Sequence, residues 1–429
     1  MKNNLGLSVV SGEGSRHAAG GTSRDVSLAA SLRARGRWFR IAGAVVGLWI
    51  LCGMGIYVAG VLGAPVVWWD LIHPLTIGAL TTAIVVLGTH FSQALTRTPA
   101  GGYRGVAARV ALVQAALVLL LVDRAGYDWG VASTAASLLV IVALGWQFAV
   151  IYRCLRGALT GSFAVTVPWY LAACVAMVIS ALLVLAAGNG LGNYSALVAA
   201  HSRGMVWGFA LMTIVATVVT LLPTLTGTRI AGQAAARCLR ALVVHCVGLS
   251  AAMFLYAVGL SVAAGMAQLF VVLAVLSVIQ PVLAGVLRGR MSIAALAVIA
   301  GLVWMLAVCA ADAALALVGE YPRGATLLLM PVFVGAALLQ MVTGVAQHLL
   351  PVLLGGGPDT VRARQQAAQR GGYLRLALIN AGGVACLFGA ENAGLIMMGL
   401  GLGATVVLIL LALGKHPSST TEEKGEAHA

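Results

Sequence analysis

The chain has 429 residues, 61% hydrophobic and only 9% charged, with a mean hydropathy of +1.00; no water-soluble domain of this size carries such a composition, which excludes a soluble globular protein. The 26 Lys and Arg against 12 Asp and Glu leave a net charge of +14. That charge falls between apolar runs of about 20 residues instead of gathering on one polar face, so the partner is a lipid bilayer and not nucleic acid. Seven cysteines (Cys52, Cys154, Cys174, Cys238, Cys246, Cys309 and Cys386) are odd in number and never spaced CxxC. They support neither a disulfide framework nor a thiolate zinc site, and read as small hydrophobes.

In chain order, residues 1–37 are rich in Gly, Ser and Arg, without the apolar core and cleavage site of a signal peptide, and are expected to form a flexible basic cytosolic tail. Runs long enough to cross about 30 Å of hydrocarbon come next, at 40–63, 71–95, 105–122, 131–152, 162–187, 195–222, 239–261, 265–287, 291–317, 326–353, 373–390 and 393–414. The expectation is an all-α integral membrane protein with a twelve-helix domain over 38–414. The last segment, KHPSSTTEEKGEAHA at 415–429, reads as a second polar cytosolic tail.

Charge placement supports this count, because positive residues favour the cytoplasmic side of every second connection. With the N-terminus inside, 23 of the 26 basic residues fall on inner segments, and the outer ones keep only Arg124, Arg203 and Arg323 beside Asp70, Asp123, Asp128, Glu320 and Glu391. Both termini are therefore expected in the cytoplasm. Few lysines and abundant Ala, Gly, Val and Arg hint at a GC-rich bacterial genome, hence at a bacterial inner (plasma) membrane.

A four-helix period also emerges. Helices 6 and 10 end alike, in TLLPTLTGT at 220–228 and HLLPVLLGGG at 348–357, and helix 2 ends in ALTRTPAGG at 94–102. Helices 2 and 6 both carry a histidine in their outer third, His73 and His201. Three four-helix arcs about a pseudo-threefold axis would produce this pattern; chance likeness among Leu-rich helices is the alternative.

Ionisable groups inside spans are costly and so become functional candidates. His73 and His201 form an outer pair suited to heme or copper, with Met205 one turn after His201 on the same face; local hydrogen bonding at a helix end is the alternative role. His90 lies about 25 Å deeper than His73, so one metal cannot bind both. His90, His245 and His348 form an inner trio, enough for a copper or zinc site if their helices meet, and otherwise ordinary interfacial histidines. Asp312 could serve a proton path or an ion pair, the pair being the simpler reading, with Arg203 a further buried candidate. Gly43, Gly47, Gly399 and Gly403 read as close helix packing, and LLGGGPDTVRARQQAAQRGGYLR at 353–375 as a turn with positive-inside charge.

The helix 2 pattern His73-Pro-Leu-Thr-Ile-Gly-Ala-Leu-Thr-Thr, followed by His90 and Arg97, resembles the NnrS family of bacterial membrane proteins. More broadly it resembles the heme-copper oxidase subunit I superfamily. Helix 6, with AAHSRGMVWGFALMTIVATVVTLLPTLTGTR, and the helix 10 exit look like segments of the same relatives. The resemblance implies twelve helices in three arcs, heme and/or copper as cofactor, His73 at the place of an axial heme ligand and His201 at that of a copper ligand. It also implies a role in electron transfer, metal handling or nitric oxide response, with a redox partner protein. The departures are Met205 where the oxidases have a tyrosine, Tyr256 and Met266 where they have paired histidines on helix 7, and Met330 where helix 10 should carry two. A complete oxygen-reducing centre is therefore not expected, and no catalytic residue is assigned. Two other classes remain: a secondary transporter with helices broken at Pro223 and Pro281 and a 6+6 repeat, or a metal-free scaffold of the same fold.

Overall fold

A computed structural model describes residues 18–99, 101–126, 131–158 and 164–414. Among the described residues all regular structure is helical, as lipid requires of a backbone that must satisfy its own hydrogen bonds. The helices are α1 (Ala18–Val61), α2 (Trp68–Thr96), α3 (Tyr103–Arg124), α4 (Ala132–Arg156), α5 (Ala164–Gly188), α6 (Tyr194–Thr226) and α7 (Gly232–Ala257). They continue with α8 (Ser261–Val286), α9 (Ile293–Leu317), α10 (Pro322–Leu354), α11 (Pro358–Gln369), α12 (Gly372–Leu387) and α13 (Glu391–Gly414). Eleven are long and apolar enough to cross a membrane. The α12 helix has 16 residues, about 24 Å against some 30 Å of hydrocarbon, and α11 is short and polar.

The structure corrects three expectations about the course of the helices. Residues 18–37, expected to be a flexible tail, continue α1 as helix, because Ala, Leu and Arg dominate the stretch and all favour helix; residues 1–17 and 415–429 lie outside the described part. The seventh span runs 232–257 and not 239–261, since Arg237 and Arg240 do not end it; Arg237 donates to the Ser277 carbonyl at 3.0 Å instead of leaving the helix. Helices α6 and α8 also pass unbroken through Pro223 and Pro281, which removes the discontinuous spans expected of a transporter.

The centre of the molecule consists of α2, α6 and α10, each touching the other two. Their most apolar windows are 72, 78 and 72% buried, against at most 50% for any other span. All three change to π-helical winding part-way, over Pro74–Thr81, Gly204–Ala210 and Val332–Leu339. All three also end on a residue of positive φ, at Arg97, Gly227 and Gly355. The interval is 23 residues each time, from 74 to 97, 204 to 227 and 332 to 355. The four-helix period is thus written in backbone geometry, in constant register. That register corrects one expectation: His201 is not the counterpart of His73, whose equivalents are Arg203 and Pro331. His90 and His348, by contrast, are counterparts.

Local chemistry sets the ends. The Asn193 side chain accepts from Ala196 N at 3.0 Å to start α6, and Ser292 accepts from Ala295 N at 3.1 Å to start α9. The connections at 97–102, 227–231, 287–292 and 355–371 carry most of the loop arginines and define an arginine-rich face. Those at 62–67, 189–193, 258–260, 318–321 and 388–390 define the opposite, arginine-poor face.

A candidate bis-histidine cavity

Helices α2 to α6 curve around a cavity of about 530 Å³ in the arginine-poor half of the protein, closed on one side by Thr326, Met330 and Phe333 of α10. His73 and His201 both line it, as do Met177 and Met205, with Asp123, Arg124, Asn189 and Tyr194 toward the loops. A volume between about 300 and 1,000 Å³, mostly apolar with a few convergent polar groups, is typical of a cofactor pocket.

Each imidazole is fixed by a main-chain carbonyl. His73 Nδ1 lies 2.9 Å from the Trp69 carbonyl, one turn earlier on α2, and His201 Nδ1 lies 2.8 Å from the Ser180 carbonyl on α5. A carbonyl can only accept, so Nδ1 carries the proton in both rings and Nε2 keeps its lone pair. The Trp69 ring, its centroid 4.1 Å from that of His73, restrains the imidazole further. The two imidazoles lie within electrostatic reach of one another. This is the outer-shell arrangement that orients metal-ligating histidines, with one nitrogen tied to the protein and the other free for the ligand.

The π-helical turns explain why both side chains reach one space. A π segment inserts a wider turn and so rotates the part of the helix before it relative to the part after it. His73 immediately precedes the segment of α2, and His201 precedes that of α6 by three residues. Gly78, in the first segment, allows close approach: a Cβ there would lie 2.6 Å from Trp49 Cγ and 2.9 Å from Leu117 Cδ2.

Beside the cavity, Arg203 and Asp312 form a buried ion pair at 2.6 Å. Asp312 also accepts from Trp207 Nε1 at 3.0 Å and from Gln268 Nε2 at 2.9 Å, while Gln268 accepts from Tyr256 OH at 3.0 Å. Arg203 donates to Thr326 Oγ1 at 2.7 Å, to Ser202 Oγ at 3.2 Å and to the Pro322 carbonyl, and stacks on the Tyr256 ring at 4.8 Å. Asp312 therefore belongs to a structural pair. The partners Trp207, Gln268 and Tyr256 were not legible in the sequence, although the shared depth of Arg203 and Asp312 was a usable signal.

The inner trio does not assemble, and only the mid-span place of His245 departs from the interfacial reading of its members. His245 sits 13 residues into α7, in mid-span, fully buried, with Nε2 donating to the Trp207 carbonyl at 2.8 Å and its ring edge-on to Trp169. His90 packs on Phe39, and His348 faces Gln365 of α11. Among the described residues no group of three or more His, Cys, Asp or Glu side chains could hold a metal ion. The seven cysteines are all free.

Comparison with known protein families finds no match, and comparison with curated proteins finds none either.

Proposed function

We propose that this chain is a bacterial inner-membrane protein of the heme-copper oxidase-like, NnrS-like class, with twelve spans in three arcs and both termini in the cytoplasm, and that it holds one heme between His73 and His201. The observation that carries this reading is the pair of imidazoles, each anchored through Nδ1 to a main-chain carbonyl, that line one largely apolar cavity. Heme needs at most two axial protein ligands, and the cavity offers two imidazoles. Copper or zinc held by protein alone needs three or four donors; here Met205 would have to join, which makes copper the second reading. Arg124 at the cavity mouth, paired with Asp70 at 2.9 Å, supplies a cation for a carboxylate-bearing ligand. Bound heme would supply a one-electron couple, fitting electron transfer to a partner protein or a nitric oxide response. The protein's part is to orient the two imidazoles, exclude water and present the pocket toward the arginine-poor face. The twelfth span on this reading is α12, and the constant four-helix register favours three arcs over the 6+6 repeat of a transporter.

The test is an absorption spectrum of detergent-purified protein from a heme-replete host, oxidised and dithionite-reduced, with iron and copper quantified. A Soret band that shifts on reduction, and is lost in both His73→Ala and His201→Ala while the variants stay folded, is the expected result. Absence of heme together with sub-stoichiometric copper would reject the proposal.

A further inference from the structure

Helices α1, α2, α10 and α13 enclose a different space that the two cavity histidines do not enter. In the arginine-poor half it is an apolar cavity of about 200 Å³, from Tyr57 and Trp68 to Ile50 and Leu339. Ile50 also lines an apolar slot in the other half of the same four-helix group, continued by Gly47, Gly43 and Phe39. From Phe39 to Val58 the lining advances about 28 Å along α1, close to the thickness of the hydrocarbon core. The small residues keep the slot open. A Cβ on Gly47 would lie 3.2 Å from Leu410 and 3.3 Å from Val406, and one on Gly43 would lie 3.1 Å from Leu350.

The arginine-rich end of this slot is cationic. Arg35 precedes Phe39 by one turn on the same face of α1, and its Nε is buried without a hydrogen-bond partner. Its guanidinium comes beside Gly355 at the exit of α10. Arg364 of α11 donates to the Gly355 carbonyl at 2.8 Å, and Arg40 lies within electrostatic reach of Arg364. On α11 itself the acidic side chain is Asp359, which is fully exposed and turned to Arg362 at 3.7 Å.

Two apolar spaces of about 60 and 200 Å³, which meet at Ile50 and together extend over the length of an acyl chain, lie beneath arginines at the depth of the interface and so complement a phospholipid of net negative charge. We infer that the group α1, α2, α10 and α13 binds one anionic glycerophospholipid. Its phosphate is held by Arg35, with the positive charge of Arg364 and Arg40 close by, and one acyl chain lies along Phe39, Gly43 and Gly47 toward Ile50. The site is separate from the bis-histidine cavity and does not depend on it.

The experiment compares phosphatidylglycerol, phosphatidylethanolamine and inorganic phosphate, each added to the delipidated full chain in detergent. Thermal unfolding and native mass spectrometry supply the readouts. Phosphatidylglycerol is expected to raise the unfolding midpoint and to persist as a one-to-one adduct, with the other two giving less than a quarter of the shift. Arg35→Gln should at least halve the shift, and Gly47→Leu, which fills the slot, should remove the adduct. An equal shift from phosphatidylethanolamine, a full shift from inorganic phosphate, or an unchanged shift in Arg35→Gln would each overturn the inference. If Gly47→Leu does not fold, Arg35→Gln and the three-ligand comparison decide.

Discussion

At the scale of single residues, the costliest side chains of this protein meet their charge with specific partners, although among the described residues Arg203 Nε and Arg109 Nε stay buried without a hydrogen bond. Arg203 and Asp312 are both buried, and their mutual charge is supported by Trp207, Gln268, Thr326 and the face of Tyr256. Removing one member of such a pair leaves an uncompensated charge, which costs about 3–5 kcal/mol, whereas replacing both by apolar groups costs much less. Asp312→Asn is therefore expected to destabilise the protein by about that amount, and Arg203→Met combined with Asp312→Leu to recover part of it. Thermal unfolding in detergent measures both; a loss below about 1 kcal/mol for Asp312→Asn would equal a surface pair and contradict the buried-charge argument. Arg109 shows a second way of settling a buried cation, in the opposite half of the protein. It donates to Thr89 Oγ1 at 3.2 Å and lies over the Trp146 ring at 5.5 Å, so a hydroxyl and a ring face meet its charge.

At the scale of elements, the three central helices share a π segment and a cap of positive φ in constant register, left-handed at Arg97 and Gly227 but not at Gly355, and they differ in what occupies the cap. Gly227 and Gly355 adopt positive φ without strain, whereas Arg97 is the one non-glycine with positive φ among the described residues. A Cβ in that region costs about 1–2 kcal/mol. Arg97→Gly is expected to stabilise the protein by about 1 kcal/mol, and Gly227→Ala to destabilise it by a similar amount, both read as shifts in unfolding midpoint. The threonine pairs Thr96–Thr98 and Thr226–Thr228, at 3.0 and 2.9 Å, repeat at the same two exits. At the third exit the pair is replaced by Leu354 and Gly356, where the chain turns into α11. The sequence showed this likeness as shared Thr, Pro and Gly punctuation. The π segments left no such mark, because adding a residue to one turn of a helix needs no particular residue type.

At the scale of the whole molecule, the three central helices divide the interior into spaces of different character. One is bordered by two imidazoles, one holds the Arg203–Asp312 network, and one is a pair of apolar spaces that meet at Ile50. Orientation in the bilayer follows from charge: with Arg229, Arg288 and Arg290 on one face and Glu320 and Glu391 on the other, the arginine-rich face is expected in the cytoplasm. In a cysteine-free background, Leu191→Cys should react with a membrane-impermeant maleimide added to spheroplasts, and Arg290→Cys should react only after lysis. The reverse pattern would invert the topology and place the histidine cavity toward the cytoplasm.

The amino-acid sequence by itself determined that the chain lives in lipid, where most of its spans lie, and that His73 and His201 belong to one half of the protein and His90 and His348 to the other. Those properties depend on local hydropathy, charge and a fixed rise per residue, and each is additive along the chain. It misplaced the start of α7, and with it His245, because arginines at an interface can snorkel without ending a helix. Tertiary structure alone decided that His73 and His201 border one cavity, that His90, His245 and His348 stay apart, and that Asp312 answers Arg203. Which side chains meet depends on how helices rotate about their axes, and here that rotation is set by π-helical turns and glycine contacts between distant segments, which no span reveals when read alone.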